Sequence, residues 1–151
     1  MIMVWSIGYG CVGDFWGHLR DAGVTRLIDV RANAWSKRKH WRGPELAIAC
    51  RSGGIAYDHL PELGNPYRGG RTRAEWQRAR EQYEEHLEHP KRHQALLELV
   101  ALARDARAAI MCACRAHGRC HRGVILDRLS ARLSVVQLGE DAPPPKQGRL
   151  F

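Results

Sequence analysis

The sequence predicts an α/β protein, with a central, mainly parallel sheet of about five strands flanked by helices. Two observations favour this class. Short apolar segments suited to strands alternate along the chain with longer stretches of helical periodicity. A chain of 151 residues, 44% of them hydrophobic, can also bury one core without help from a disulfide or a metal. No apolar run approaches the roughly 20 residues that span a bilayer, so we expect no membrane segment.

Five short segments are the candidate strands, because each is apolar or β-branched and is bounded by glycine, proline or charge. They are Met3–Ile7, Arg26–Val30, Ile55–Asp58, Ala108–Ala113 and Ser134–Leu138. Strands that alternate with helices in this way are typical of a Rossmann-like or rhodanese-like sheet. Ligands bind such sheets at the carboxyl ends of the strands.

Helices are predicted in the intervals, near residues 15–22, 46–50, 73–87, 90–102 and 120–133. The first stops before Gly23, which can adopt the left-handed conformation of a helix end. In the third, Trp76, Tyr83 and Leu87 mark a buried stripe on an otherwise charged surface. Pro90 suits the first turn of the fourth.

The balance of charge favours a polyanionic partner. The chain has 24 Lys and Arg against 16 Asp and Glu, a formal charge of +8, which points first to nucleic acid, most simply DNA. A solvated arginine-rich surface is the alternative. Five cysteines, three of them close together, do not form the pattern of a secreted disulfide framework, and no signal peptide is evident. We therefore expect a cytoplasmic protein with reduced thiols.

The densest chemistry lies in residues 108–122, where a predicted strand leads through a loop rich in Cys, His and Arg into a helix. Cys120, His121 and Arg122 fall at or near the start of that helix. Its free N–H groups and the adjacent positive charge stabilise a thiolate there. Such a thiolate can attack an electrophilic carbon or sulfur, and the same groups can instead hold a phosphate.

Cys112, on the preceding strand, is either a member of this site or a small buried apolar side chain. Metal binding is the competing chemistry for this segment. Its ligands would be Cys112, Cys114, Cys120 and His117 or His121. Their spacing fits none of the usual paired CxxC patterns, so we predict neither a metal nor another cofactor.

Further candidates follow the predicted carboxyl ends of other strands, where side chains can converge on one cleft. They are Tyr9, Asp29, Arg31, His59 and Glu62. Asp29, Glu62 and the histidines are candidate acids and bases, and Arg31 is a candidate phosphate ligand. A structural ion pair between Asp29 and Arg31, and a simple turn around Glu62, are the alternatives.

A basic loop with two indoles follows the second strand. Its candidate substrate contacts are Ser36, Lys37, Arg38, Lys39 and Trp41, with Trp35 beside them. Cations of this kind contact the phosphate backbone, and an indole stacked on an exposed base contributes about 1 to 3 kcal/mol. The alternative is a solvated loop with one tryptophan buried beneath it.

Taken together, several motifs resemble the family catalogued as domain of unknown function 488. They are Ser6-Ile7-Gly8-Tyr9, Asp29-Val30-Arg31, Ser36, residues 54–57 with 60–64, Cys112, and Cys120-His121-Arg122. The match runs from about Ser6 to Leu138, with the motifs in order, and it implies a small α/β domain whose activity has not been settled. Where that family usually carries a glutamate two residues after the first loop cysteine, this chain has Cys114. The role of that carboxylate is therefore not carried over.

Two shorter likenesses concern the same loop. Cys114 to Arg119 has the six-residue span of a rhodanese active-site loop, and Asp29-Val30-Arg31 looks like the motif that opens rhodanese domains. Cys120 to Val124 resembles the Cys-His-Arg core of alkylguanine-DNA alkyltransferases, although no helix-turn-helix module accompanies it here.

After Leu138 the composition changes, so we predict one domain over residues 1–138 and a proline-rich tail over 139–151. The end of the tail resembles the Gln-x-x-Leu-Phe pentapeptide by which bacterial polymerases and repair proteins dock on the sliding clamp. Gln147, Leu150 and Phe151 are then the partner-binding residues. The alternative is that the last two pack back on the domain or stay disordered.

These patterns together predict a bacterial DNA-associated enzyme that processes a base or a damaged nucleotide. Thiol attack by Cys120, with His121 as its base, and hydrolysis with Asp29 or Glu62 activating water both fit. A rhodanese-like sulfur carrier that uses Cys114 and a non-catalytic DNA-binding adaptor are the alternatives.

Overall fold

The fold is a five-stranded parallel sheet with helices on both faces, described by a computed structural model over residues 1–10, 13–67, 70–113 and 120–139. The strands are β1 (Ile2–Gly8), β2 (Arg26–Asp29), β3 (Ala56–His59), β4 (Ala108–Cys112) and β5 (Leu133–Gln137). They pair in the order β3-β2-β4-β1-β5, and every described pairing is parallel. The predicted α/β class is confirmed.

Five α-helices occur among the described residues, one in each predicted interval. They are α1 (Phe15–Asp21), α2 (Gly43–Ser52), α3 (Arg73–His86), α4 (Pro90–Arg104) and α5 (His121–Arg128), with short 3₁₀ helices at Lys39–Trp41 and Pro61–Leu63. The last helix is shorter than the predicted 120–133, because Leu133 already belongs to β5. No described helix is long and apolar enough to cross a membrane.

The sheet divides the core into two layers. Leu19 of α1 and Leu46 of α2 pack on one face, and Leu96 of α4 and Ile125 of α5 pack on the other. Because successive strand residues point to opposite faces, each strand supplies both layers.

The connections diverge around β4, and this positions the candidate site. The chain leaves β1 and β2 toward the face covered by α1 and α2, whereas it leaves β4 toward α5 on the opposite face. Neighbouring parallel strands with diverging connections leave a crevice outside their carboxyl ends, where ligands bind in open α/β sheets. The segment from Cys112 to Cys120 starts and ends at this crevice.

Part of the predicted organisation lies outside the described residues. This holds for the tail beyond Gly139, including Gln147, Leu150 and Phe151, and for the loop residues from Cys114 to Arg119.

Candidate active site

Two cysteines meet at the carboxyl end of β4. Cys112 is the last residue of that strand, and Cys120 is the N-cap of α5. Their Sγ atoms lie 3.0 Å apart, and both side chains are buried. His121 and Arg122 contact the Cys120 sulfur, and Ser6 contacts Arg122. We call these five residues the thiol cluster.

The position of Cys120 follows from local helix geometry. Its backbone is extended, with φ −121° and ψ 153°, and its Sγ accepts a hydrogen bond from the Arg122 N–H at 3.4 Å. An N-cap is usually Ser, Thr, Asp or Asn, whose oxygen binds the free N–H groups of the first turn. A sulfur in this place receives the same N–H and the positive end of the helix dipole, which favours its thiolate form.

His121 is oriented toward this sulfur by the backbone of the neighbouring strand. Its Nε2 lies 3.0 Å from the Val30 carbonyl oxygen, and its Nδ1 lies 3.5 Å from the Cys120 Sγ. Because a carbonyl only accepts hydrogen bonds, Nε2 carries the hydrogen. In the neutral ring Nδ1 is then the basic nitrogen, facing the thiol. A nucleophile, a base and a group that orients the base are therefore in line.

Arg122 supplies the positive charge of the cluster from a position that is only 1% exposed. Its Nη1 donates to the Ser6 Oγ at 2.8 Å, and its Nε donates to the Cys120 Sγ at 3.4 Å. Burial by itself lowers the pKa of this guanidinium, but the facing sulfurs of Cys112 and Cys120 outweigh it and hold the pKa above its usual value.

Charge balance distributes the protons of the pair. One guanidinium balances one thiolate, so we assign one thiolate and one thiol to the pair, which share a hydrogen bond across the 3.0 Å contact. The Tyr83 phenol stays neutral beside them, because burial first, and then its electrostatic interaction with the cysteine pair, raise its pKa. Arg122 interacts with both sulfurs, and we assign the thiolate to Cys120 because its sulfur also accepts the first-turn N–H of α5 and faces the His121 Nδ1.

The same donors have the composition of a soft-metal site. Ligand atoms of Cys112, Cys120 and His121 all lie within 4.8 Å of one another, and thiolate and imidazole suit zinc. However, Arg122 already places a buried positive charge against these sulfurs, which disfavours a dication at the same point. The metal-free interpretation therefore stays our prediction.

A second group of polar residues, the ion-pair cluster, lies on the opposite face of the sheet and consists of Tyr9, Asp29, Arg31, Tyr57 and His59. Asp29 is fully buried and accepts hydrogen bonds from the Arg31 Nε at 2.9 Å and the Arg31 Nη2 at 2.7 Å. The Arg31 backbone N–H at 3.1 Å and the Tyr57 hydroxyl at 2.6 Å complete the set.

These four bonds occupy both oxygens of Asp29, which disfavours a role in activating water. The sequence left two interpretations of Asp29 and Arg31 open, a catalytic role and a structural ion pair. The geometry favours the structural ion pair. Arg31 is held equally firmly: its Nη1 faces the Tyr9 hydroxyl and the Trp35 carbonyl, both at 3.5 Å. Burial lowers the pKa of Arg31, but its bonds and charge interaction with Asp29 raise it above the usual value overall.

The predicted convergence of side chains at the strand ends is found in part. Tyr9 and His59 both contact Arg31, the latter through its Nε2, 2.6 Å from the Arg31 carbonyl. The thiol cluster, however, lies on the other face of the sheet, and Cys114 lies outside the described residues. The candidates therefore form two groups rather than one cleft.

Glu62 is exposed on the 3₁₀ helix after β3 and lines a cavity of about 250 Å³. The other charged and titratable residues that line this cavity are His86, His89, Lys91 and Arg92. This basic cavity was not predicted from the sequence, although the run His89-Pro90-Lys91-Arg92 at a predicted helix start was the available signal.

The basic loop after β2 presents its cations to solvent. Lys37, Arg38 and Lys39 are exposed, while the Ser36 Oγ accepts a hydrogen bond from the Arg38 N–H at 3.2 Å. Trp35 is 57% exposed, and the Arg42 guanidinium carbon lies 5.0 Å from the centre of its ring system. One indole and three cations are therefore available on this surface.

The expectation that Trp41 contacts substrate needs correction. Its indole is 9% exposed, stacks on Tyr9 with ring centres 4.6 Å apart, and meets Phe15 edge-on at 4.9 Å. Packing between two aromatic rings removes it from solvent, so it supports the loop from beneath. Trp35 is the indole that can stack on a base.

Comparison with known proteins gives one match. The family model described as "Domain of unknown function DUF488" matches residues 12–129. Neither the curated proteins nor the solved structures contain a match to this chain.

Proposed function

This chain belongs to the DUF488 family, whose model covers well over half of it, and we propose that it is a thiol-dependent enzyme acting on a nucleic-acid base or a nucleotide. One observation carries the proposal: the line of contacts from the Val30 carbonyl through His121 to Cys120. A thiol with an oriented base and a buried guanidinium is the arrangement of an activated nucleophile.

The chemistry assigns one step to each member of that line. The Cys120 thiolate is the form whose proton has passed to the His121 Nδ1, and Arg122 stabilises it. The sulfur then attacks an electrophilic carbon of the base or of a group attached to it. As the S–C bond forms, the bond from that carbon to its leaving heteroatom breaks. The heteroatom departs with the electron pair and takes up the proton from His121.

Two surfaces near the same edge of the sheet support a polyanionic substrate. The loop with Lys37, Arg38 and Lys39 carries an exposed indole at Trp35, a combination suited to phosphates with an unstacked base. The basic cavity beside Glu62 adds a second place for an anionic group. Both agree with the formal charge of +8.

Thiol attack has more support than hydrolysis. Asp29 has both oxygens occupied by Arg31 and Tyr57, and Glu62 is exposed, whereas both cysteines of the thiol cluster are buried. The sulfur-carrier alternative depends on Cys114, which lies outside the described residues.

The first test compares two cysteines within one molecule. Cys50 is buried on the other face of the sheet, and burial, followed by the charge of Asp29, raises its pKa to about 11. We expect iodoacetamide at pH 7 to modify Cys120 at least tenfold faster than Cys50, as measured by peptide mass spectrometry, and His121→Gln to slow Cys120 alone. Equal rates for the two thiols would overturn the nucleophile assignment.

The second test looks for the covalent product. Single-stranded and duplex oligonucleotides with O-alkylated bases are incubated with the protein, and its intact mass is measured. A mass gain on Cys120 that disappears in Cys120→Ser and persists in Cys50→Ser is the expected result. If DNA binds equally to Cys120→Ser and no alkylated or other base adduct forms, the adaptor function replaces the enzyme.

Phosphate contacts are measured separately by the salt dependence of DNA binding. If Lys37, Arg38 and Lys39 each neutralise one phosphate of a duplex, their joint replacement by Gln reduces the slope of log K against log salt by about 2.7. An unchanged slope would remove the loop from the interface.

We also propose that the tail binds a bacterial sliding clamp through Gln147, Leu150 and Phe151. Native mass spectrometry of the full chain with the clamp tests this. Phe151→Ala should abolish the complex, while Arg149→Ala, at a position that the pentapeptide leaves variable, should keep it. A complex that survives Phe151→Ala would rule out docking by this motif.

A further inference from the structure

We propose that Cys120 and Cys112 form an oxidative modification site, in which Cys112 is the resolving thiol that converts an oxidised Cys120 into an intrachain disulfide. The oxidant is a hydroperoxide, with hydrogen peroxide as the simplest member. The inference goes beyond the proposed base chemistry and does not depend on it, because it uses only the geometry of the thiol cluster.

The two sulfurs are already close to bonding distance. They lie 3.0 Å apart, and a disulfide needs about 2.05 Å, so an approach of about 1 Å is sufficient. Cys112 is the last residue of β4, and its carbonyl accepts a hydrogen bond from the Tyr9 N–H. Cys120 is the N-cap of α5. Neither cysteine is in a disulfide.

The surroundings differentiate the roles of the two thiols. Cys120 receives hydrogen bonds from the N–H and the Nε of Arg122 and faces the Nδ1 of His121, which favours its reactive thiolate form. Cys112 is its nearest sulfur neighbour among the described residues, 3.0 Å away. Oxidation therefore starts at Cys120, and Cys112 is in place for the second step.

The reaction balances in two steps. The Cys120 thiolate attacks one oxygen of the peroxide, the O–O bond breaks, and sulfenic acid and hydroxide form. The Cys112 sulfur, losing its proton, then attacks the Cys120 sulfur; the S–S bond forms, the S–O bond breaks, and the oxygen leaves as water. Two thiols lose two electrons and two protons in total, and the peroxide is reduced to two waters.

Peptide mapping of the full chain, treated with equimolar hydrogen peroxide and then blocked with N-ethylmaleimide, tests the proposal. With the protein denatured during blocking, we expect a cross-linked peptide in which Cys120 is joined to Cys112, lighter by two hydrogens than its two reduced parts, while Cys50 carries the maleimide. Trypsin leaves Cys112 and Cys114 in one peptide, so tandem fragmentation between them assigns the bond in the wild type without any variant.

Matched serine variants separate the alternatives. Cys114→Ser should keep the disulfide. Cys112→Ser should lose it and increase dimedone trapping of sulfenic acid at Cys120 at least tenfold. A bond from Cys120 to Cys114, or a Cys112→Ser protein with unchanged trapping, would overturn the role of Cys112. Absence of peroxide oxidation at Cys120, even if alkylation is fast, would overturn the site while leaving the proposed enzyme intact.

Discussion

Replacing Asp29 with Asn decides whether that carboxylate supports the fold or takes part in chemistry. The side chain is completely buried and accepts four hydrogen bonds, three from Arg31 and one from Tyr57. An amide keeps the size of the group, but it removes the charge and turns one acceptor into a donor that faces other donors.

The size of the effect follows from the burial of Arg31. Only 8% of its side chain is exposed, so the variant leaves a buried guanidinium without its counter-charge. Breaking a buried ion pair on one side costs about 3 to 5 kcal/mol. With a urea m value of about 2 kcal/mol per M, the unfolding midpoint falls by about 2 M. A domain near the middle of the usual range of about 5 to 15 kcal/mol still folds after that loss.

Equilibrium urea unfolding measures this loss, and the chain offers a matched control. Asp58 pairs with Arg26, but 29% and 28% of these side chains are exposed, and Asp58→Asn should cost at most about 1 kcal/mol. The second measurement is the rate at which iodoacetamide modifies Cys120 in the folded Asp29→Asn protein. We expect that rate to stay within about twofold of wild type, because the thiol cluster lies on the opposite face of the sheet.

Two results would refute this reasoning. A loss of less than about 1 kcal/mol in Asp29→Asn would mean that the pair contributes no more than an exposed one. A tenfold slower Cys120 in the folded variant would mean that Asp29 acts on the thiol chemistry.

Three further predictions concern pH and the two indoles. The pKa of Tyr83 is raised, so its neutral phenol stabilises the fold fully below about pH 10, and this contribution is lost as the pH rises. Absorbance at alkaline pH should show no ionisation of Tyr83 before the protein unfolds, with Tyr83→Phe as the reference. The Arg71 and Thr72 N–H groups lower the pKa of Glu75. The contribution of the Glu75 cap to stability should therefore be complete above about pH 4.5 and disappear as the pH falls through the lowered pKa. Acid unfolding of the wild type and of Glu75→Gln, which has no carboxyl to titrate, checks this pH dependence. Trp41→Ala should lower the free energy of unfolding in urea by about 3 to 5 kcal/mol. Trp35→Ala should leave that stability unchanged and weaken single-stranded DNA binding by about 1 to 3 kcal/mol. The reverse pattern would contradict the exposed fractions assigned to the two indoles.

The strands were predictable because parallel strands are buried on both faces and therefore appear as short continuous apolar runs. All five residues of β4 are buried, and no other local structure explains such a run between charged segments. The end of α5 was not predictable in the same way. Leu129 and Leu133 keep the four-residue spacing of a helix, and this periodicity does not show that Leu133 starts a strand.

The candidate site was predictable where it depends on local helix geometry and not where it depends on tertiary packing. The position of Cys120 at a helix start follows from sequence, as does the charge beside it. Its contact with Cys112 joins residues eight positions apart, across a loop whose path no residue pattern specifies. The choice between Trp35 and Trp41 likewise depended on which indole Tyr9 and Phe15 enclose.

The end of β2 connects the two polar clusters through its backbone. The carbonyls of Val30 and Arg31 accept hydrogen bonds from the Nε2 atoms of His121 and His59, respectively. Each bond fixes the hydrogen on Nε2 and leaves Nδ1 as the basic nitrogen of the neutral ring. Asp29 accepts hydrogen bonds from the backbone N–H and the Nε of Arg31. These bonds fix the path of the chain immediately after Val30. Val30 itself is also held by its own N–H, which donates to the Met111 carbonyl at 3.1 Å. The bond from His121 to the Val30 carbonyl therefore does not depend on the Asp29 ion pair, which is why Asp29→Asn is expected to lower stability and to leave the Cys120 rate near that of the wild type in folded protein.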